Sequence, residues 1–97
     1  MSENQNLIQL GKKLSRLRIK NKKIGICHGV FDILHPGHIS YFQEAKKKVD
    51  FLIVSLTTDR FIRKGPGRPF FTLKQRKRSL ESLSCIDYVL ESDFETA

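Results

Sequence analysis

Residues 51–57, with sequence FLIVSLT, constrain the fold of this chain more than any other segment. A strand with one face in water alternates apolar and polar residues, whereas this segment is apolar almost without interruption. Such a run is typical of a parallel strand that is covered by helices on both faces. The segment therefore predicts an α/β fold with a parallel sheet at its centre.

Helical and strand patterns alternate before and after this segment. Residues 5–19 predict a basic amphipathic helix, because apolar residues recur there at spacings of three and four: Leu7, Leu10, Leu14 and Leu17. Residues 24–28 are short and apolar and predict the first strand. Between the two strands, apolar residues again take helical spacing: Tyr41, Phe42, Ala45 and Val49.

Residues 64–90 predict a loop, a helix and a strand. Residues 64–69 hold two glycines and two prolines, which are typical of a loop. Thr72 and Gln75 have the spacing of a capping box, and the helix that they open has three leucines on one stripe: Leu73, Leu80 and Leu83. Residues 86–90 predict a third strand.

This order of elements predicts a Rossmann-like parallel sheet with helices on both faces. We expect one domain over residues 1–97, with an N-terminal amphipathic helix in 1–20 and a core in 24–97. Folds of this kind usually hold five or more strands, so we expect the domain to be incomplete at its C-terminus, after the third strand. The first strand would then be an open sheet edge, which favours a homodimer.

Composition places the chain among small cytoplasmic proteins. It has 97 residues, of which 39% are hydrophobic and 29% charged, as expected for one globular domain. No apolar run is long enough to span a membrane, and the polar N-terminus does not resemble a signal peptide. We therefore expect a cytoplasmic location, no membrane partner, and reduced thiols at Cys27 and Cys85 that act as small core residues.

The net charge of +8 is distributed unevenly. Residues 11–23 contain seven Lys or Arg and residues 60–78 contain eight, whereas residues 79–97 contain five acidic residues and no Lys or Arg. Basic segments suit a polyanionic ligand such as a nucleotide, a sugar phosphate or a nucleic acid, and a solvated charged face is the alternative. Nucleic acid is disfavoured, because neither a recognition-type aromatic pair on a strand nor helix-turn-helix spacing is present.

The motif His35-Pro36-Gly37-His38 follows the first predicted strand, at the sheet edge where open parallel sheets bind ligands. Pro36 suits the first turn of a helix, so the helix should begin there and leave the N–H groups of Gly37 and His38 free for an anion. Gly37 would let a phosphate approach the backbone. His35 and His38 can each donate a hydrogen bond to a phosphate oxygen, although histidines in loops are more often polar surface residues.

A zinc site is the competing interpretation of this region. Cys27, His28 and the two motif histidines are zinc-type ligands. Adjacent residues on a strand point to opposite faces, so Cys27 and His28 would not converge on one ion. We therefore assign no metal ligand directly.

These residues resemble a known family. His35-Pro36-Gly37-His38 is similar to the HxGH signature of the cytidylyltransferase-like nucleotidyltransferases, and residues 29–32 resemble the G-x-F-D end of their first strand. Similarity extends over roughly residues 5–97 and includes the Lys-Gly-x-x-Arg-Pro loop at 64–69. The closest resemblance is to the adenylyltransferase domains of bifunctional ADP-heptose synthases, and a more distant one is to glycerol-3-phosphate cytidylyltransferases.

The resemblance implies an enzyme of the HUP type that transfers a nucleotidyl group from ATP or CTP to a sugar phosphate, such as a heptose 1-phosphate, with release of pyrophosphate. It implies Mg²⁺ as a cofactor and fusion to a further domain such as a sugar kinase. A glycerol-3-phosphate-type cytidylyltransferase and an inactive nucleotide-binding fragment are the alternatives. Complete members continue with two further strands and a Ser/Thr-rich segment, so ATP and CTP stay open here.

Site residues follow from the same resemblance. The two motif histidines, His35 and His38, would stabilise charge on the triphosphate, and Lys64 in the loop would neutralise its phosphates. Arg68 would share that role or bind the phosphate of the substrate. The backbone of Val30 and Phe31 would contact the nucleotide, together with Gly37. Asp32 would either orient the motif or bind magnesium through water.

Arg76 is predicted from its position as well. It lies three residues after Leu73 and four before Leu80, on the apolar stripe of its helix. A cation is rarely buried at such a position unless it has a partner. We expect it to bind a phosphate of the nucleotide, and Arg76→Leu to weaken that binding without loss of stability. A buried ion pair or a side chain that extends to solvent are the alternatives. Asp59, at the end of the second strand, is a candidate helix N-cap.

Overall fold

The computed structural model describes residues 3–58 and 70–92, with side chains from Leu7 onward. Its helices and strands follow in the order α1 (Glu3–Ile19), β1 (Ile24–Gly29), α2 (Pro36–Lys47), β2 (Phe51–Thr57), α3 (Leu73–Glu81) and β3 (Tyr88–Ser92). The predicted loop at 64–69 and the candidate cap Asp59 lie outside the described residues.

The three strands form a parallel sheet in the order β1-β2-β3. Ile24 of β1 lies opposite Phe51, and Ile53 lies opposite Tyr88 of β3. All seven residues of β2 are buried, which the apolar run predicted. The predicted parallel α/β sheet is therefore confirmed.

Helices cover both faces of the sheet. Alternate residues of β2 enter two separate cores, as the strand period of two requires. On one face, Leu52, Val54 and Leu56 pack with Phe42 of α2 and Leu80 of α3. On the other, Phe51 and Ile53 pack with Leu10 of α1. This arrangement confirms the Rossmann-like layers predicted from the sequence.

The third strand begins two residues later than its sequence predicts. Residues 86–90 have strand composition, but the strand runs from Tyr88 to Ser92. Asp87 fixes the turn before it: its N–H donates to the Leu52 carbonyl at 2.9 Å, and its carboxylate accepts the Leu52 N–H at 2.7 Å. Ile86 packs into the core ahead of the strand.

Most of the remaining predictions of local structure are confirmed. Thr72 and Gln75 form the predicted capping box of α3. In α2, Phe42 is fully buried, whereas Tyr41 is exposed. Cys27 is buried in the core and Cys85 is half-buried, and both are free thiols. None of the helices in the described residues is long and apolar enough to cross a membrane.

Candidate functional site

The turn between β1 and α2 places the two motif histidines at the start of a helix. Helix α2 begins at Pro36 as predicted, because the fixed φ and missing N–H of proline suit the first helical position. His35 is the N-cap, with φ −136° and ψ 170°. This extended conformation is the one that a residue before proline favours. The start of α2 at Pro36 therefore follows from local sequence.

The histidine side chains cap the helix themselves. The Gly37 N–H donates to Nδ1 of His35 at 3.0 Å, and the His35 N–H donates to Nδ1 of His38 at 3.3 Å. The His38 N–H donates to the His35 carbonyl at 2.9 Å. The prediction that the N–H groups of Gly37 and His38 are free for an anion is thus wrong for this state, because both already have acceptors.

This cap determines which ring nitrogens carry protons. Each Nδ1 accepts a hydrogen bond from the backbone, so each neutral imidazole holds its proton on Nε2. The ring centroids of His35 and His38 are 4.0 Å apart. Burial, and secondarily the charge of His35, lower the pKa of His38 from 6.5, which favours its neutral form. In its neutral form each ring therefore keeps one donor, Nε2–H, for a ligand.

Gly37 is required by the His35 ring. A Cβ at Gly37 would lie 2.7 Å from Cε1 of His35 and 3.0 Å from its Nδ1. Such distances are shorter than van der Waals contact, so a side chain there would displace the imidazole. The predicted approach of a phosphate to the backbone at Gly37 stays a prediction.

Phe31 connects the histidines to the core. Its φ is 47°, in the left-handed region that large side chains rarely adopt. Its ring meets the His38 ring edge to face, with centroids 5.8 Å apart, and it contacts Phe42 at 5.1 Å. A Cβ at Gly29 would lie 2.8 Å from Cζ of Phe31. The contact of the Phe31 ring with His38 was not predicted from the sequence; Gly29, two residues earlier, was the available signal for it.

Asp32 holds the segment before α3. Its carboxylate accepts the Phe70 N–H at 2.7 Å and the Phe71 N–H at 2.9 Å, one on each oxygen. Magnesium in nucleotide sites is usually bound by one or two carboxylates together with water and phosphate oxygens. Both Asp32 oxygens accept backbone hydrogen bonds, so this carboxylate orients the segment before α3. Binding of Mg²⁺ through water by Asp32 stays a prediction.

Arg76 is buried, with 1% of its surface exposed. Its Nη1 donates to the carbonyls of Val30 and Thr57, both at 2.9 Å, and its Nε donates to the Phe71 carbonyl at 3.2 Å. Three backbone carbonyls are thus partners of the Arg76 guanidinium. The predicted phosphate contact and the alternative of a buried ion pair stay predictions. The carbonyl contacts reverse the expected effect of Arg76→Leu on stability, since three carbonyls would lose their donor.

Two further polar groups lie near the ends of β1 and β2. Nδ1 of His28 lies 2.9 Å from Oγ of Ser55, while the neighbouring Cys27 is buried in the core. The two residues thus have separate environments, as strand geometry predicts. Oγ1 of Thr57 is buried and has no hydrogen-bond partner. An unpaired buried hydroxyl lowers stability, typically by about 1–3 kcal/mol.

The structure thus brings most predicted site residues to one region, at the carboxyl edge of the sheet: Val30, Phe31, Asp32, His35, Gly37, His38 and Arg76. In open α/β sheets this edge is the usual place for a ligand. Lys64 and Arg68 lie outside the described residues, and their roles stay predictions.

Comparison with known proteins decides the family. A cytidylyltransferase-like family profile matches residues 26–97. The chain belongs to this cytidylyltransferase-like family.

Curated relatives are much longer than this chain. It is 44% identical over 92 residues to the bifunctional protein HldE of Helicobacter pylori, which covers 93% of this chain and 20% of that protein. It is 42% identical over 81 residues to the protein of the same name from Syntrophotalea carbinolica, covering 81% and 16% of the two chains. The chain therefore spans about a fifth of the length of these relatives.

A solved structure has the same fold. The lipopolysaccharide core biosynthesis protein of Thermoplasma volcanium superposes with a TM-score of 0.67 at 34% identity. The match covers 73% of this chain and 58% of that one. It supports the Rossmann-like fold independently of the family profile.

Proposed function

We propose that this chain provides the nucleotide-binding part of an enzyme that transfers a nucleotidyl group from ATP or CTP to a sugar phosphate, of the heptose 1-phosphate class. The observation that carries the proposal is the histidine pair, whose two Nδ1 atoms accept backbone hydrogen bonds and leave two Nε2–H donors at the start of α2. N–H donors beside the positive end of a helix dipole suit a triphosphate.

The reaction is an in-line displacement. A phosphate oxygen of the acceptor attacks the α-phosphorus, the new P–O bond forms, and the bond from the α-phosphorus to the bridging oxygen breaks, so that pyrophosphate leaves with the electron pair. A phosphate monoester is largely dianionic at neutral pH, since its second pKa is about 6. The attacking oxygen needs no general base.

His35 and His38 stabilise negative charge on the triphosphate by donating from Nε2, a role of positioning and electrostatics. Mg²⁺ is proposed as the cofactor, where it would accompany the triphosphate and neutralise part of its charge. Lys64 is proposed to neutralise the phosphates, with Arg68 beside it or at the acceptor phosphate.

The acceptor class is supported by the relatives. One is named a lipopolysaccharide core biosynthesis protein and others bifunctional proteins, which agrees with a sugar phosphate acceptor and with fusion to a further domain such as a sugar kinase. We propose a cytoplasmic location for the reaction. A homodimer is a further proposal, based on the exposed edge of β1.

Pyrophosphate release tests this function. The protein is assayed with ATP or CTP, each combined with a heptose 1-phosphate or with glycerol 3-phosphate. We expect release with one nucleotide and the heptose phosphate. His35→Ala and His38→Ala should each lower turnover by about 100-fold, the usual cost of one such donor. Gln43→Ala, exposed on the same helix, is the control and should have normal turnover.

Three other results of the pyrophosphate-release assay would change the proposal. Near-normal turnover in both histidine variants would refute the site. Release with glycerol 3-phosphate alone would replace the acceptor class by that of the glycerol-phosphate enzymes. Nucleotide binding without release, for every acceptor, would favour an inactive nucleotide-binding module.

A further inference from the structure

Arg76 combines full burial with a permanent charge. Only 1% of its surface is exposed, the lowest exposure of any charged residue in the described ranges 7–58 and 70–92. A buried cation is unfavourable unless its hydrogen-bond donors are satisfied. The groups that its donors contact indicate what this residue does.

Those groups belong to three separate segments. Val30 follows β1, Thr57 ends β2, and Phe71 precedes α3. The guanidinium donates to a carbonyl in each of them, at 2.9, 2.9 and 3.2 Å. Because its donors diverge from a rigid plane, it fixes the directions of all three carbonyls in a way that an ammonium group does not.

A continuous path of contacts leads from Arg76 to His38. The carbonyl of Val30 belongs to the peptide that joins Val30 to Phe31, so the hydrogen bond to Nη1 fixes that peptide plane. Phe31 leaves the plane with its φ of 47°. Its ring then meets the His38 ring edge to face at 5.8 Å.

Asp32 reinforces the same connection from the other side. Its carboxylate holds the N–H groups of Phe70 and Phe71, while Arg76 holds the Phe71 carbonyl. The turn after β1 and the start of α3 are therefore fastened by hydrogen bonds in both directions. Displacement of either one would move the peptide that sets the Phe31 ring.

We propose that Arg76 is a positioning residue: it fixes the Val30–Phe31 peptide so that the Phe31 ring holds the His38 imidazole in the orientation that donates from Nε2. Its effect on turnover rests on the proposed function. Its effect on the His38 ring does not, and that ring can be observed directly.

The test is an NMR titration of the imidazole nitrogens in the whole protein, which is simple because this sequence has three histidines. Arg76→Met is compared with two controls on the same helix. Arg78→Met removes an exposed arginine, and Leu80→Ala destabilises the core without removing a guanidinium. All are measured at a temperature at which they are folded.

In Arg76→Met we expect the pKa of His38 to rise towards its ordinary value and its Nε2–H tautomer to lose its dominance. Both controls should retain the His38 signals of the original protein. Unchanged His38 signals in Arg76→Met would overturn the proposal. Equal changes in Leu80→Ala would also overturn it, since destabilisation alone would then explain them.

A second variant keeps the proposal testable if Arg76→Met does not fold. Phe31→Leu retains an apolar side chain but removes the ring that contacts His38, so it should change the His38 titration in the same direction. Unchanged titration in Phe31→Leu would refute the path.

Kinetics then distinguish this inference from the proposed function. Arg76→Lys should lower kcat with little change in KM for the nucleotide, by about 100-fold if the imidazole moves on the order of 1 Å. A fall in kcat no greater than that of Arg78→Lys would contradict the positioning role. Absence of turnover in the original protein would refute the proposed function, while the His38 titration would still decide the role of Arg76.

Discussion

A Gly37→Ala substitution acts directly on the His35 cap. The new Cβ would lie 2.7 Å from Cε1 and 3.0 Å from Nδ1 of the His35 ring. His35 is exposed, so the ring can rotate away without moving the backbone. That rotation breaks the 3.0 Å hydrogen bond from the Gly37 N–H to Nδ1 and removes the cap of α2.

The size of the effect follows from two opposing contributions. Loss of an N-cap costs about 1 kcal/mol, with a range of roughly 0.5–2. Replacing glycine by alanine in a helix stabilises the protein by about 0.4–1 kcal/mol, mainly by restricting the unfolded chain. The free energy of unfolding should therefore fall by about 0–1 kcal/mol. Turnover should fall by about 100-fold, because His35 no longer presents its Nε2–H.

Gly11→Ala is the matched control. Gly11 lies in α1, and a methyl group added to it would meet no atom within 4 Å. The same substitution there should stabilise by about 0.4–1 kcal/mol and leave turnover unchanged. Urea unfolding and pyrophosphate release are measured for both variants. If Gly37→Ala stabilises as much as Gly11→Ala and retains full turnover, His35 does not cap α2 and the reasoning is refuted.

Three further predictions concern stability. The free energy of unfolding should fall below pH 6.5, because the pKa of His38 is lowered in the folded state. The contribution of His38 to stability is complete above pH 6.5 and is lost as the pH falls through the folded-state pKa. Urea midpoints that do not change between about pH 8 and about pH 5 would contradict this. Thr57→Val should raise the free energy of unfolding by about 1 kcal/mol, because it removes a buried hydroxyl that has no partner; a loss would show that Oγ1 has a partner in solution. Phe42→Ala should lower the free energy of unfolding by about 3–5 kcal/mol, since the Phe42 ring is fully buried and contacts Phe31. A loss below about 1 kcal/mol would mean that the core collapses into the space that the ring leaves.

Local signals predicted most of the fold. The apolar run of β2 indicated burial on both faces, and the structure has cores on both sides of the strand. Pro36 marked the start of α2, and the spacing of Thr72 and Gln75 marked the start of α3. In each case the residues that decide the structure are neighbours in the sequence, so their interaction can be inferred without the fold.

Contacts between distant residues could not be predicted in the same way. Arg76 and Val30 are 46 positions apart, and Asp32 and Phe70 are 38 apart, so neither hydrogen bond has a sequence signature. The position of Arg76 on an apolar stripe predicted that its side chain needs a specific partner. The sequence pattern does not distinguish a carbonyl partner from a phosphate partner. His35 was recognised as a donor, whereas its use of Nδ1 as a cap depends on ring orientation.

The central claim is that His35 and His38 present two Nε2–H donors to a nucleoside triphosphate. Long-range ¹H–¹⁵N spectra of the histidine side chains, recorded at neutral pH without and with the magnesium complex of ATP or CTP, test it most directly. We expect the neutral form of each ring to carry its proton on Nε2, and both Nε2 signals to move when the nucleotide is added. A proton on Nδ1 of either ring, or Nε2 signals that do not respond to either nucleotide, would contradict the claim.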